Sequence, residues 1–505
     1  MHIVRRISQV FFLILFFVLF LLATYPLQKV FPVQFFLKLD PLLGIISSIA
    51  ARTIIISIPA VILILLSVVL GRFFCGWICP MGTTIDGIDH LLKNKNNKTK
   101  GLFKNTKFVI LFAVLFSALF SIQLNGFFDP IPLFTRTVAT ALYPLFVFLF
   151  EGFLSIFMSI GFLEEPVYRI HEFLRGNLLP ITPIAFLGGI SFLIIFLIIL
   201  FLGKINRRFW CRNLCPLGAL IGFISGKRLY RRLVTDSCTE CGLCAKECRM
   251  GAIPDTFKET NHVECISCMD CQNICPVRAV QFKFQWKKER DKTTSLDLSR
   301  RHFISAGAVG LLSMGVFNLG HGSSKEKGLL VRPPGALEEG PFLDRCIRCG
   351  ECVRVCSTSG AGLHLSQLEN GWSALWTPVL KPHLGYCEYN CNMCGEVCPT
   401  GAIQPLPLEE RKEMKMGTAH FDKTRCIPWY YGENCMVCEE HCPIPDKAIH
   451  FIEKKTTTID GRETIVSLPY VKEDVCIGCG ICVNRCPVEG QRGIFLTNAD
   501  EYRWG

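Results

Sequence analysis

Hydrophobic and polar positions divide the 505-residue chain into two unlike halves. Up to about residue 203 the sequence is built of long blocks of Phe, Leu, Ile and Val; beyond it, short apolar runs alternate with charge. Ile7–Thr24 is nearly unbroken hydrocarbon, and Thr53–Leu70, Phe108–Leu124 and Ile184–Leu202 repeat the pattern. Each has about the 17–25 residues a membrane-spanning helix needs. Arg5 and Arg6 precede the first block and no small-residue cleavage site follows it, so it reads as a retained span. Val138–Phe162 is also long and apolar, but it carries Pro144 and Glu151. It reads as a re-entrant or interfacial helix pair on the outer side.

Charge orients these blocks. Loop 72–107 holds Arg72, Lys93, Lys95, Lys98, Lys100, Lys104 and Lys107, and stretch 204–232 is equally basic; loops 25–52 and 125–183 carry three Lys/Arg each. The positive-inside rule therefore places the N-terminus, loop 72–107 and the chain just after 203 in the cytoplasm. A further crossing at 138–162 would put Arg207, Arg208 and Arg212 outside, against the bias. The net charge of +12 has no recognition motif or aromatic-studded basic stripe beside it, which excludes nucleic acid as the expected partner.

Cysteine changes the picture. Of 28 cysteines, 26 lie after residue 203, and 24 form six groups of four, mostly CxxCxxCxxxC. A disulfide framework would not repeat that spacing, and zinc sites use paired hooks instead. Cys238, Cys241, Cys244 and Cys248 precede Cys265, Cys268, Cys271 and Cys275-Pro276. In the bacterial two-cluster run the fourth cysteine serves the neighbouring cluster. Cys238, Cys241, Cys244 and Cys275 are thus expected to hold one [4Fe–4S] cluster, and Cys265, Cys268, Cys271 and Cys248 another. Cys248 is followed by Arg249 where proline is usual.

The later groups are Cys346, Cys349, Cys352, Cys356; Cys387, Cys391, Cys394, Cys398; Cys426, Cys435, Cys438, Cys442; and Cys476, Cys479, Cys482, Cys486. Ser357 replaces a proline, Cys387 and Cys391 stand one residue further apart than usual, and Ile427–Asn434 is inserted between Cys426 and Cys435. Neighbouring groups could pair, or the outer two with each other and the inner two likewise. Six clusters and about 24 iron atoms are expected.

An internal repeat lies in the apolar half. Arg72-Phe-Phe-Cys75-Gly-Trp-Ile-Cys79-Pro80-Met-Gly82 matches Arg208-Phe-Trp-Cys211-Arg-Asn-Leu-Cys215-Pro216-Leu-Gly218. Cys75, Cys79, Cys211 and Cys215 are redox candidates with three readings: a thiol/disulfide pair, ligands of a further cluster, or inert packing. The four spans contain no histidine and the chain no CxxCH, so no haem is expected. Glu151, Glu164, Glu165 and His171 are candidate proton acceptors in the outer loop, solvated surface being the plainer reading.

Between the second and third quartets stand Ser299-Arg300-Arg301-His302-Phe303-Ile304 and a Gly-rich apolar run to Gly320. A twin arginine before such a run resembles a twin-arginine export signal. The segment is expected to cross as a fifth span; a Gly-rich helix that never crosses is the other reading.

Taken together these features resemble the ferredoxin-type accessory proteins of periplasmic nitrate reductase and methylamine-utilisation systems. Residues 1–280 look like the membrane partner and 299–495 like the exported partner, the stretch from Cys426 to Ile449 being especially similar; here the two are joined. The resemblance implies oxidation of membrane quinol and delivery of electrons to a periplasmic reductase or cytochrome. The expected fold is multi-domain: an α-helical membrane bundle of four spans plus a fifth, with α+β bacterial two-cluster ferredoxin-like domains. The expected divisions are 1–232, a membrane domain; 233–285, a cytoplasmic two-cluster domain; 286–325, linker and twin-arginine-like segment; and 326–505, a four-cluster domain on the periplasmic side. A maturation factor that keeps a partner metalloenzyme reduced, and a wholly cytoplasm-facing cluster wire, are the alternatives.

Overall fold

The computed structural model describes residues 2–27, 32–92, 105–158, 164–177, 179–180, 185–226, 228–285, 300–319, 330–457 and 463–504. Lys93, Lys95, Lys98, Lys100, Lys104, Phe162, Lys227, Ser299 and Gly320 lie outside them. The chain forms two interleaved units: Met1–Leu22, Val30–Thr137 and Ile190–Gly315 in the first, Ala23–Lys29, Val138–Gly189 and Val316–Gly505 in the second.

The first unit is a helical bundle carrying a small ferredoxin-type module. Helix His2–Leu22 packs on Phe73–Trp77 and Pro80–Leu91, while Pro216–Ser225 packs on Ile58–Leu70 and Thr106–Leu119. Strands Tyr230–Val234 and Val280–Phe284 pair antiparallel and bracket the first two cysteine groups in sequence. Two buried side-chain networks join module and bundle. In one, Arg5, Arg208 and Arg249 surround Asp86, with Asp270 beyond. In the other, Glu264 is held by Arg72 and Lys107.

The second unit contains Tyr143–Met158, Glu164–Asn177 and the four later cysteine groups. Strand Ile449–Thr457 pairs antiparallel with Glu463–Val471, and Thr418–Phe421 with Ile494–Thr497. After Cys398 the chain makes an isolated antiparallel bridge between Ala336 and Ile403. Arg354, fully buried, stacks on the Tyr143 ring at 4.2 Å. Tyr25 donates its N–H to Thr358 Oγ1 at 2.8 Å and its hydroxyl to the Asn390 carbonyl at 3.0 Å. The part of the chain with the four later cysteine groups is therefore folded together with segments from the apolar half.

The helices correct the expected spans. Among the described residues two are long and apolar enough to cross a membrane, Ile3–Leu22 and Pro130–Met158. The segment expected as a re-entrant pair is instead the greater part of one 29-residue helix. A π-helical stretch, Val138–Leu142, precedes Pro144 and accommodates the lost backbone donor. The other expected spans are shorter. Thr53–Leu70 is helical only from Ile58, where Ser57 caps the end through the Ala60 N–H. The third helix stops at Leu119, with Ser121 at φ 59°, and the fourth begins at Gly189. Arg300–Leu319 is a 20-residue helix whose Gly310 lies against Phe116, but it is not among the two.

Candidate iron–sulfur sites

Four of the six cysteine groups share one backbone device. The residues on both sides of the second cysteine are left-handed: Glu240 and Gly242, Ser267 and Met269, Arg348 and Gly350, Gly478 and Gly480. Such reversals gather successive N–H groups into a concavity suited to an anion. The two groups with altered spacing lack the device after their second cysteine: Asn392 has φ −125° and Met436 φ −117°. They are held by side chains instead. Arg411 Nη2 donates to Cys387 Sγ at 2.8 Å and its Nη1 to the Tyr389 carbonyl at 2.8 Å. In the insert after Cys426, Trp429 donates to the Pro469 carbonyl at 3.2 Å and sits edge-on to Tyr470.

The cysteines ring cavities. One is lined by Cys248, Cys265, Cys268 and Cys271. Another is lined by Cys346, Cys349, Cys352 and Cys398, and a third by Cys426, Cys435, Cys438 and Cys486. Cys356 stands within electrostatic reach of Cys387 and Cys391, and Cys442 of Cys476-group member Cys482. Cys248, Cys356, Cys398, Cys442 and Cys486 thus reach into the neighbouring group's loop, and among the later groups the neighbours pair. Among the described residues no three His, Cys, Asp or Glu side chains converge closely enough for a single metal ion. Groups of four thiols lining a common cavity, with no closely converging single-ion site among the described residues, fit a multi-iron cluster better than zinc.

Charge is arranged around the thiols. Burial raises the Cys265 thiol, but the Arg228 guanidinium beside it outweighs burial and holds it below its ordinary value. Arg232 donates to Cys244 Sγ at 3.5 Å and to the Phe257 carbonyl at 3.0 Å. Burial pushes Glu351, between Cys349 and Cys352, up to about 7, against the pull of Arg354. Arg249, where proline was expected, bonds Asp270 at 2.8 Å and lies 3.3 Å from Asp86. That departure fastens the module to the bundle. The sequence offered no signal for it beyond the missing proline.

Cys75, Cys79, Cys211 and Cys215 are all buried and come together from the two repeats. Cys79 and Cys215 occupy equivalent places, each N-capping a helix that opens with proline and whose glycine donates to the sulfur: Gly82 N to Cys79 Sγ at 3.4 Å, Gly218 N to Cys215 Sγ at 3.2 Å. Proline suits the first helical position because its missing N–H is not needed there. Of the candidate proton acceptors, Glu164 and Glu165 are exposed on helix Glu164–Asn177, which also holds the half-buried His171; Glu151 is half-buried on Tyr143–Met158.

Comparison with known proteins decides the family. Three models, each described as a 4Fe-4S binding domain, match residues 53–99 and 184–234; 469–490; and 235–251, 264–278 and 343–359. The ferredoxin-type protein NapG of Escherichia coli is 36% identical over 196 residues, covering 38% of this chain and 82% of NapG. The chain belongs to the ferredoxin-type NapG and MauM family. The methylamine utilization ferredoxin-type protein MauM of Methylorubrum extorquens is 34% identical over 206 residues, 39% of this chain and 87% of MauM. The putative electron transport protein YccM of Escherichia coli is 29% identical over 247 residues, 48% of this chain and 58% of YccM. No solved structure matches. As a NapG/MauM-type protein the chain is a ferredoxin-type iron–sulfur electron-transfer protein with 4Fe-4S binding domains.

Proposed function

We propose that the protein takes electrons from membrane quinol and passes them to a periplasmic reductase or cytochrome. The 24 quartet cysteines would hold six [4Fe–4S] clusters, in the crossed sets described above, and these supply one-electron carriers. The chain's own part is to hold the thiols, exclude water from them and set their electrostatics. Arg228 and Arg232 favour anionic thiolates in the first unit, and Arg411 does so in the second.

One observation carries the two-sided reading. The part of the chain with the four later cysteine groups falls in one unit with residues 23–29 and helix Glu164–Asn177, which belong to the loops that the charge bias assigns to the outer side. The two-cluster module folds in the other unit with the ends of helices around Arg72 and Arg208, which the same bias assigns to the cytoplasm. Helix Arg300–Leu319 is the chain segment between the two modules, as the twin-arginine reading requires.

A C-terminal fusion tests this. Active alkaline phosphatase with a dark cytoplasm-maturing fluorescent protein is expected; the reverse pattern would sink the periplasmic reading. Quinol oxidation is tested separately, by mixing purified protein anaerobically with a soluble quinol analogue. Bleaching of the iron–sulfur absorbance is expected. No bleaching, with a pre-matured partner enzyme fully active without this protein, would favour the maturation role.

A further inference from the structure

Upstream of each Cys-x3-Cys-Pro repeat stands an Asp-Pro pair: Asp40-Pro41 before Cys75, and Asp129-Pro130 before Cys211. Asp40 caps helix Pro41–Ala50, its Oδ1 accepting from the Leu42 N–H at 2.9 Å and the Leu43 N–H at 3.3 Å. Asp129 takes the same place before the helix start at Pro130, where its Oδ1 accepts from the Ile131 N–H at 3.4 Å. Capping accounts for these two oxygens and leaves the other two unexplained. The carboxyl groups of Asp40 and Asp129 face each other within hydrogen-bonding reach, and both are buried. Asp129 Oδ2 accepts from Asn125 Nδ2 at 2.8 Å. No donor among the described residues meets Asp40 Oδ2, nor Oδ1 of the fully buried Asn125.

Two buried carboxylates in contact cannot both stay ionised. Neither aspartate has an ion-pair partner among the described residues. Arg136, the buried cation one turn beyond Pro132, donates to the Gly126 carbonyl at 3.0 Å and lies over the Phe192 ring at 5.1 Å. A proton must therefore serve as the missing donor between the two carboxyl groups. Burial, and then the charge of Asp129, push the Asp40 carboxyl well above the usual carboxylate range. The two helix N-termini favour the single negative charge that remains. The pair thus holds one proton and can take a second. Starting two helices does not require this, since Ser57 caps Ile58–Leu70 with a neutral hydroxyl.

The surroundings say which proton is handled. Asp129 is within electrostatic reach of Cys215, in the repeat matched by a 4Fe-4S binding domain. Both aspartates nevertheless belong to loops 25–52 and 125–183, which the charge bias assigns to the outer side. Quinol oxidation needs a proton acceptor beside an electron acceptor. The acceptors offered by the sequence, Glu151, Glu164, Glu165 and His171, are exposed or half-buried. We infer that Asp40 and Asp129 share one proton and form the proton-accepting pair for quinol oxidation. In each one-electron step a quinol O–H bond breaks, its proton goes to the ionised carboxylate of the pair, and the electron goes to the iron–sulfur groups of the chain. The pair then releases one proton to the outer side and is ready for the second step. Quinol gives up two electrons and two protons in all and leaves as quinone. This inference rests on the proposed quinol reading.

The test uses full-length protein purified anaerobically in detergent, as wild type, Asp40→Asn and Asp129→Asn. Asparagine keeps a capping oxygen, so iron content and bleaching by dithionite should match wild type. Bleaching of the iron–sulfur absorbance by a soluble quinol analogue should be about a hundredfold slower in each variant. Wild-type rates with quinol in both variants overturn the proton role and leave the quinol reading standing. Wild-type protein that dithionite bleaches and quinol does not rejects the quinol reading, and this role with it. A second readout needs no turnover. Infrared spectra of wild type carrying isotope-labelled aspartate should show a protonated aspartate carboxyl at neutral pH, and its band should shift or vanish in either variant. Absence of the band from wild type overturns the shared proton even if a variant loses iron, and so does an unmoved band in both variants.

Discussion

Arg208 grips Asp86 with both arms of its guanidinium, Nε to Oδ1 at 2.7 Å and Nη2 to Oδ2 at 2.8 Å, inside the first unit. Asp86 is also within 3.5 Å of Arg5 and accepts from Gln9 Nε2 at 2.9 Å. Removing the one carboxylate leaves three guanidiniums short of a partner. Breaking a buried pair this way costs about 3–5 kcal/mol. Asp86→Asn should therefore melt well below wild type in detergent, followed by loss of iron–sulfur absorbance. The exposed pair Lys258–Glu240 is the control, and Lys258→Ala should leave the melt unchanged.

Arg249→Pro would restore the residue usual after the fourth cysteine, yet it should weaken the protein. Proline cannot replace the bonds to Asp270 and Asp86. A loss of about 3 kcal/mol is expected, with the two-cluster module becoming the first site of limited proteolysis. Unchanged proteolysis would show that this anchor is dispensable.

Gly478 has φ 72°, and a Cβ there would lie 2.6 Å from the Gly417 carbonyl oxygen. Gly478→Ala meets both backbone strain and a clash with main chain that cannot rotate away. A cost of about 1–3 kcal/mol is expected from the backbone conformation alone. The variant should show loss of about four to eight iron from the last cluster pair, read by iron count, while the first unit's iron is retained.

His364 gives a pH signature. It is buried beside the Phe186 ring, and burial, reinforced by His383 and Lys381, lowers its pKa to about 4. An unfolded histidine titrates near 6.5, so between about 6.5 and 4 the unfolded chain binds the extra proton. Stability should fall by about 3 kcal/mol as pH drops through that window and level off below it. His364→Leu should flatten that part of the stability profile; an unchanged slope would exclude this residue as its source.

The sequence carried the cluster chemistry openly because thiolate spacing along a tight loop is a local property. It could not decide how the last four groups pair, since each fourth ligand is remote; the cavities lined by Cys398 and Cys486 decide that. The bundle was less legible. Arg72 and Lys107 entered the charge bias as loop cations, yet both are buried against Glu264. Arg5 looked like a membrane-surface flank and instead lies 3.5 Å from Asp270. Hydropathy measured how long each apolar block is, but not that Ser57 and Gly189 start helices inside two of them.

The crossed cysteines also set a timetable for biogenesis. With the proposed ligand sets, the loop of Cys346, Cys349 and Cys352 cannot be completed until synthesis has reached Cys398, nor that of Cys426, Cys435 and Cys438 until Cys486. Iron–sulfur insertion must therefore follow translation in pairs. A chain stopped between two partners holds open thiol loops instead of a smaller working protein, which makes every unfinished copy a substrate for oxidation and degradation.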